Sequence, residues 1–106
     1  MKTAPSFTAR IWIAGSYDAA IEAVREFCEE GVCFSVTRCA YVYTGGMEDG
    51  VCVTRINYPR FPVYECDIRD QAGRLAEFLR ERLFQDSYSI EFPDETVWYS
   101  RREVSA

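Results

Sequence analysis

Residues 32–62 read VCFSVTRCAYVYTGGMEDGVCVTRINYPRFP, and the reading of this stretch decides the fold. Across Val32–Tyr43 one parity collects Val32, Phe34, Val36, Ala40 and Val42. The other collects Cys33, Ser35, Thr37, Cys39, Tyr41 and Tyr43. Successive side chains of a strand point to opposite faces, so the first set is expected to face a core and the second to stand on an outer face. Thr44-Gly45-Gly46-Met47-Glu48-Asp49-Gly50 reads as a hairpin loop, because its glycines accept positive φ and its acids prefer water. If Tyr43 then pairs with Val51, the outer face gathers Tyr41, Tyr43, Val51, Val53 and Arg55; a slip of one residue would invert that set. Asn57-Tyr58-Pro59-Arg60-Phe61-Pro62 ends the second strand, since each proline removes a donor and extends its predecessor. The stiff Tyr58–Pro62 segment reads either as a binding lip or as a lid on one end of the core.

Working outward, FTARIWIA (7–14) is β-branched and aromatic and predicts a strand. Gly15 breaks it, and Ser16 is placed to cap a helix over residues 17–30 that carries Tyr17, Ile21, Val24 and Cys28 at helical spacing. Gly31 is its stop signal. A second helix is expected from an Asp67 cap, with Asp70 three residues on and a stripe of Ile68, Ala72, Leu75, Leu79 and Leu83. Gly73 inside that helix points to close packing. Tyr88, Ile90 and Phe92 alternate, Pro93-Asp94-Glu95 turns, and Thr96–Ser100 returns. The order is β-α-β-β-α-β with an added last strand. That predicts a ferredoxin-like α+β fold, two helices on one face of an antiparallel sheet, in a single domain with an ordered core of about 7–100 and short tails. The final hairpin could extend the sheet or fold over its open face.

Composition narrows the function classes. With 106 residues, 48% of them hydrophobic, the chain suits one self-sufficient core. No run approaches the roughly 18 apolar residues of a membrane span. Met1-Lys2-Thr3-Ala4-Pro5 lacks the apolar block of a signal peptide, so a cytoplasmic location is expected. The cysteines, Cys28, Cys33, Cys39, Cys52 and Cys66, are odd in number and form no CxxC pair. They read as reduced, buried, inert thiols, with no metal. There is no histidine, which weakens general acid–base chemistry and nucleophilic cysteine chemistry alike. Gly45-Gly46 joins two strands and is followed by no Lys-Ser/Thr, so it is not a phosphate loop. These readings predict no catalytic residue and no cofactor. A net charge of −5 disfavours affinity built on phosphate neutralisation and suits a basic partner.

Two surfaces are therefore candidates for partner binding. The first helix carries Asp18, Glu22, Glu26, Glu29 and Glu30 against Arg25 alone, either a solvated face or one that meets a basic surface. The open sheet face offers Trp12, Tyr41 and Tyr43, with Glu48 and Asp49 in the loop at its end. Aromatic side chains of this kind populate interface centres. Carboxylate pairs such as Glu48-Asp49 are also ordinary turn composition. Ile11-Trp12-Ile13-Ala14-Gly15 resembles the first short motif of an RNA-recognition motif domain, in which an aromatic stacks on a base. The resemblance stops there, because Gly50-Val51-Cys52-Val53-Thr54-Arg55 carries valines where outward aromatics belong. A nucleic-acid partner is thus not favoured.

Ile11–Gly15, the Tyr43-Thr44-Gly45-Gly46 corner, Ile56–Pro62 and Pro93-Asp94-Glu95-Thr96-Val97-Trp98 together resemble small, uncharacterised bacteriophage early proteins. The resemblance implies a stoichiometric inhibitor of host machinery, a class that includes anti-CRISPR proteins, but carries no site residue. The expectation is a non-catalytic protein-binding module acting on a host protein with a basic surface. Its alternatives are a homodimeric small-ligand or regulatory module paired through the open sheet, and a single-stranded nucleic-acid binder using the same face.

Overall fold

A computed structural model describes residues 1–103 of the chain. Its elements are β1 (Ala9–Ala14), α1 (Tyr17–Phe27), a 3₁₀ turn (Cys28–Glu30), β2 (Ser35–Tyr43), β3 (Gly46–Arg55), α2 (Glu65–Arg82), β4 (Ser87–Glu91) and β5 (Thr96–Ser100). The strands form one antiparallel sheet in the order β2-β3-β1-β4-β5. Both helices pack on one face, as the predicted ferredoxin-like α+β fold requires. The last hairpin does not fold over the sheet: β5 pairs with β4 and adds an edge strand, so the second face stays open.

The core lies between that sheet and the helices. Ala9, Ile11 and Ile13 of β1 and Val51 and Val53 of β3 meet Ala20, Ala23 and Val24 of α1 and Ile68, Ala72, Leu75 and Leu79 of α2. The α2 stripe is buried at the predicted spacing, whereas in α1 the buried residues are Ala20, Ala23 and Val24, and Tyr17, Ile21 and Cys28 of the predicted stripe are only partly covered. Ser16 caps α1 as expected, its Oγ accepting from the Ala19 amide at 3.4 Å. The helix ends earlier than predicted, at Phe27, and Glu29 and Glu30 sit in the 3₁₀ turn. The second helix begins two residues before Asp67. The Asp67 carboxylate accepts from the Tyr64 amide at 3.1 Å, so it supports the first turn from inside rather than preceding it. Gly73 is not a packing requirement, since a Cβ added there would meet nothing within 4 Å.

The largest correction concerns the hairpin register. Tyr43 pairs with Gly46, not Val51, and the connection is the two-residue turn Thr44-Gly45, with Gly45 at φ 83°. Gly46–Gly50, expected as loop, belongs to β3. The shift exchanges the faces of β3. Val51, Val53 and Arg55 point into the core, where they are buried, and Glu48, Gly50 and Cys52 share the open face with Trp12. The tip of the hairpin overhangs the helices, which leaves Val42 and Met47 exposed although they lie on the helix side. The N-terminal segment is tied to the body by the buried Asn57, whose amide donates to the Pro5 carbonyl at 2.9 Å. Among the described residues no helix is long and apolar enough to cross a membrane.

Candidate functional site

The open face is organised in ranks that cross the strands. One rank runs Thr37, Cys52, Trp12, Ser89, Trp98 through all five strands. Trp12 therefore stands between two small neighbours, Cys52 and Ser89, and its indole N–H donates to Glu91 Oε1 at 3.1 Å. Arg10, two residues earlier on the same face, lies 3.8 Å from that carboxylate. Trp98 closes the rank and remains 58% exposed.

The next rank toward the hairpin holds Cys39, Gly50 and Ala14, and beyond it Tyr41 pairs with Glu48. Tyr41 does not project outward as a free edge. Its ring lies across β3 above Gly50, and its hydroxyl donates to the carbonyls of Val51 (3.1 Å) and Ile13 (3.5 Å). A Cβ at Gly50 would fall 2.1 Å from the Tyr41 ring and 2.8 Å from the Ile13 carbonyl, so glycine is what admits the ring here. Burial, reinforced by the Cys39 thiol, holds the Tyr41 hydroxyl well above the ordinary phenol range. Tyr41 is thus a protonated, fixed wall.

Trp12, Ala14, Tyr41, Glu48, Ser89 and Trp98 bound a cleft of about 190 Å³ at the hairpin end of this face. It is shallow and open to solvent. Its chemistry is aromatic and acidic: two indoles, a phenol, the Glu48 carboxylate and serine hydroxyls. No group of three or more His, Cys, Asp or Glu side chains placed to hold a metal occurs among the described residues.

The nine residues singled out from sequence fall on separate surfaces. Trp12, Tyr41 and Glu48 converge on the cleft. Tyr43 is exposed near the hairpin tip. Asp49 follows Glu48 in a strand rather than a loop, so it points to the helix side, with Ala40 opposite. Asp18, Glu22, Glu26 and Glu29 lie on the helical layer. There Glu26 pairs with Arg82 of α2, and Glu30 pairs with Arg74 at 2.9 Å. Part of the charge that looked unbalanced within the first helix is met by the second. Sequence reading missed Trp98, Ser89 and Glu91. For Ser89 and Glu91 the signal was the parity opposite to Tyr88, Ile90 and Phe92, which becomes informative once β4 is known to border β1; Trp98 follows from its pairing with Ser89. The thiols also divide differently from expectation: Cys52 is buried, whereas Cys33 and Cys66 are exposed.

No family model and no curated protein matches the chain. Solved structures do. A phage SAM lyase in its apo state superposes with a TM-score of 0.73 at 19% identity, over 93% of this chain and 92% of that one. A phage SAM lyase in complex with S-methyl-5'-thioadenosine gives 0.69 at 17% identity, over 94% and 93%. These identities carry the fold. The matched proteins are nevertheless lyases, matched over almost their whole length, and this overturns the expectation of a non-catalytic inhibitor and of a chain that is not an enzyme.

Proposed function

We propose that this protein is a lyase that cleaves S-adenosylmethionine to S-methyl-5'-thioadenosine at the open-face cleft. The observation that carries the proposal is the near full-length likeness to a phage SAM lyase, one structure of which holds S-methyl-5'-thioadenosine. The chemistry of the cleft supports it. The substrate joins an adenine to a sulfonium cation. Indole faces such as Trp98 and Trp12 suit both, by stacking on the base and by attracting the cation through the ring quadrupole. Glu48 adds a full negative charge at the rim.

The bond change needs little from the protein. The carboxylate of the substrate's own amino-acid arm attacks the carbon next to sulfur. The sulfur–carbon bond breaks, its electron pair stays on sulfur, and the products are the neutral thioether and a lactone. No water enters and no proton moves, which fits a chain without histidine. Attack joins an anion to a carbon activated by a cation, so charge disappears in the transition state. A water-poor aromatic surface that holds the arm folded accelerates such a step by orientation and by not solvating the separated charges. A shallow cleft excludes water poorly alone.

Incubation of the purified chain with S-adenosylmethionine, followed by chromatography and mass spectrometry, tests the proposal. S-methyl-5'-thioadenosine should accumulate with one equivalent of lactone or of its hydrolysis product. Substrate that decays no faster than in buffer would overturn it.

A further inference from the structure

A second cavity of about 280 Å³ lies at the opposite end of the sheet, on the helix-covered side, where β3 leaves the sheet toward α2. Its walls are mostly apolar, from Val32, Phe61 and Val63, and Arg55 lies at its base with Tyr58 beside it. Arg55 is only 4% exposed. Its Nε donates to Gln71 Oε1 at 2.9 Å and its Nη1 to the Ile56 carbonyl. Both acceptors are neutral, and Arg55 forms no ion pair among the described residues. Among the described residues no buried side-chain nitrogen is left unpaired, yet Nη2 has no hydrogen-bond partner there, so it is solvent-accessible and opens to the cavity that Arg55 lines. A guanidinium is always charged, and burying one without a counter-anion is costly. The Tyr58 hydroxyl accepts from the Cys33 thiol at 3.7 Å and has no described acceptor for its own proton.

We propose that this cavity binds a small monocarboxylate with an aromatic or aliphatic body, its carboxylate on Arg55 and Tyr58 and its body against Val32, Phe61 and Val63. One cation and one hydroxyl match a single negative charge; a phosphate dianion would remain under-neutralised between apolar walls. The cavity sits at the lower end of ligand-pocket sizes, which limits the body to roughly a phenyl ring with a short arm. The site shares no residue with the open-face cleft, so its test is separate from that of the lyase reading.

The test is an amide-resolved NMR titration of the full chain with 3-phenylpropionate, its neutral isostere 3-phenylpropan-1-ol, and inorganic phosphate. Saturable shifts at Val32, Cys33 and Gln71 with the carboxylate alone are expected. Equal shifts with the alcohol, saturation by phosphate at the same residues, or no saturable shift with 3-phenylpropionate would each overturn the proposal. Arg55→Gln should abolish the saturable response. Because that variant can fail to fold, Tyr58→Phe serves as the second arm, with a native spectrum and about tenfold weaker binding of 3-phenylpropionate. Unchanged affinity in Tyr58→Phe would remove the paired donors on which the site rests.

Discussion

Ile11, Ile13, Val51 and Val53 look into the helices from the same strands that turn Trp12, Cys52 and Gly50 to the open side. The inner set is apolar, closely packed and wholly buried. The outer set mixes large rings with glycine, serine and cysteine, so rings lie over small neighbours and leave a cleft. One backbone therefore divides two tasks by parity. The inner face supplies stability, and the outer face is free to be shaped for a ligand.

The largest effect should come from the inner face. Ile11→Ala removes a fully buried side chain from the sheet centre, with a predicted loss of about 2–5 kcal/mol of stability. Thermal and denaturant unfolding would measure it. A loss comparable to that of an outer-face substitution would break the division between faces.

Gly50 is the place where the outer face makes a structural demand of its own. Gly50→Ala sets a Cβ against the Tyr41 ring and the Ile13 carbonyl, and should cost about 1–3 kcal/mol. Part of that cost belongs to the ring alone. Adding Tyr41→Ala should relieve the ring clash but not the contact with the Ile13 carbonyl, giving a coupling above about 0.5 kcal/mol between the two sites. Strict additivity would mean that the ring does not depend on the glycine.

Trp12 neighbours Ile11 in sequence and should behave in the opposite way. Trp12→Phe loses the bond to Glu91 and part of the stacking surface while leaving the core untouched. Stability should change by less than about 1 kcal/mol. Formation of S-methyl-5'-thioadenosine should fall by about tenfold or more, equivalent to about 1.4 kcal/mol. Full activity with intact stability would move the reaction away from the cleft.

The contrast between faces also explains which parts of the molecule were legible. Both helices follow from apolar stripes at helical spacing, wholly buried in α2 and centred on Val24 in α1, and the element order follows from them. The β3 register did not, because the signal was local and misleading. Glycines and acids at 45–50 have the composition of a loop, yet this part of β3 overhangs the helices and is under no pressure to alternate. Gly50 is a glycine for a ring that comes from another strand. Trp12, Tyr41 and Glu48 could be nominated one by one, since each is aromatic or acidic. Their convergence with Trp98 depends on β4 and β5 extending the sheet beside β1, which is a pairing choice rather than a composition. Arg55 was placed outside by the same register error, and its burial is what makes it informative.

The smallest effect concerns the charged rim of the helical layer. Glu77 of α2 accepts from Arg80 Nε at 2.9 Å and from the Tyr88 hydroxyl at 3.1 Å. The Arg80 bond first, and the Tyr88 bond after it, hold the Glu77 carboxyl below its ordinary value of 4.5. A carboxyl whose folded value is depressed adds stability that is present above the unfolded value and is lost as pH falls through the lower, folded one. Glu77→Gln should therefore reduce stability at neutral pH by no more than about 1 kcal/mol, because the Glu77 side chain keeps 40% of its surface in water. It should also flatten the decline in stability from about pH 5 downward. Unfolding curves of both proteins across that range measure the difference in slope. Equal slopes would take Glu77 out of the acid response and leave it to the carboxylates Glu30, Asp86 and Asp94, which their arginine partners shift in the same direction. Glu77 and Arg80 do not line the cleft, but Tyr88, which donates to Glu77, does, so the comparison also tests whether this bond reaches the open face.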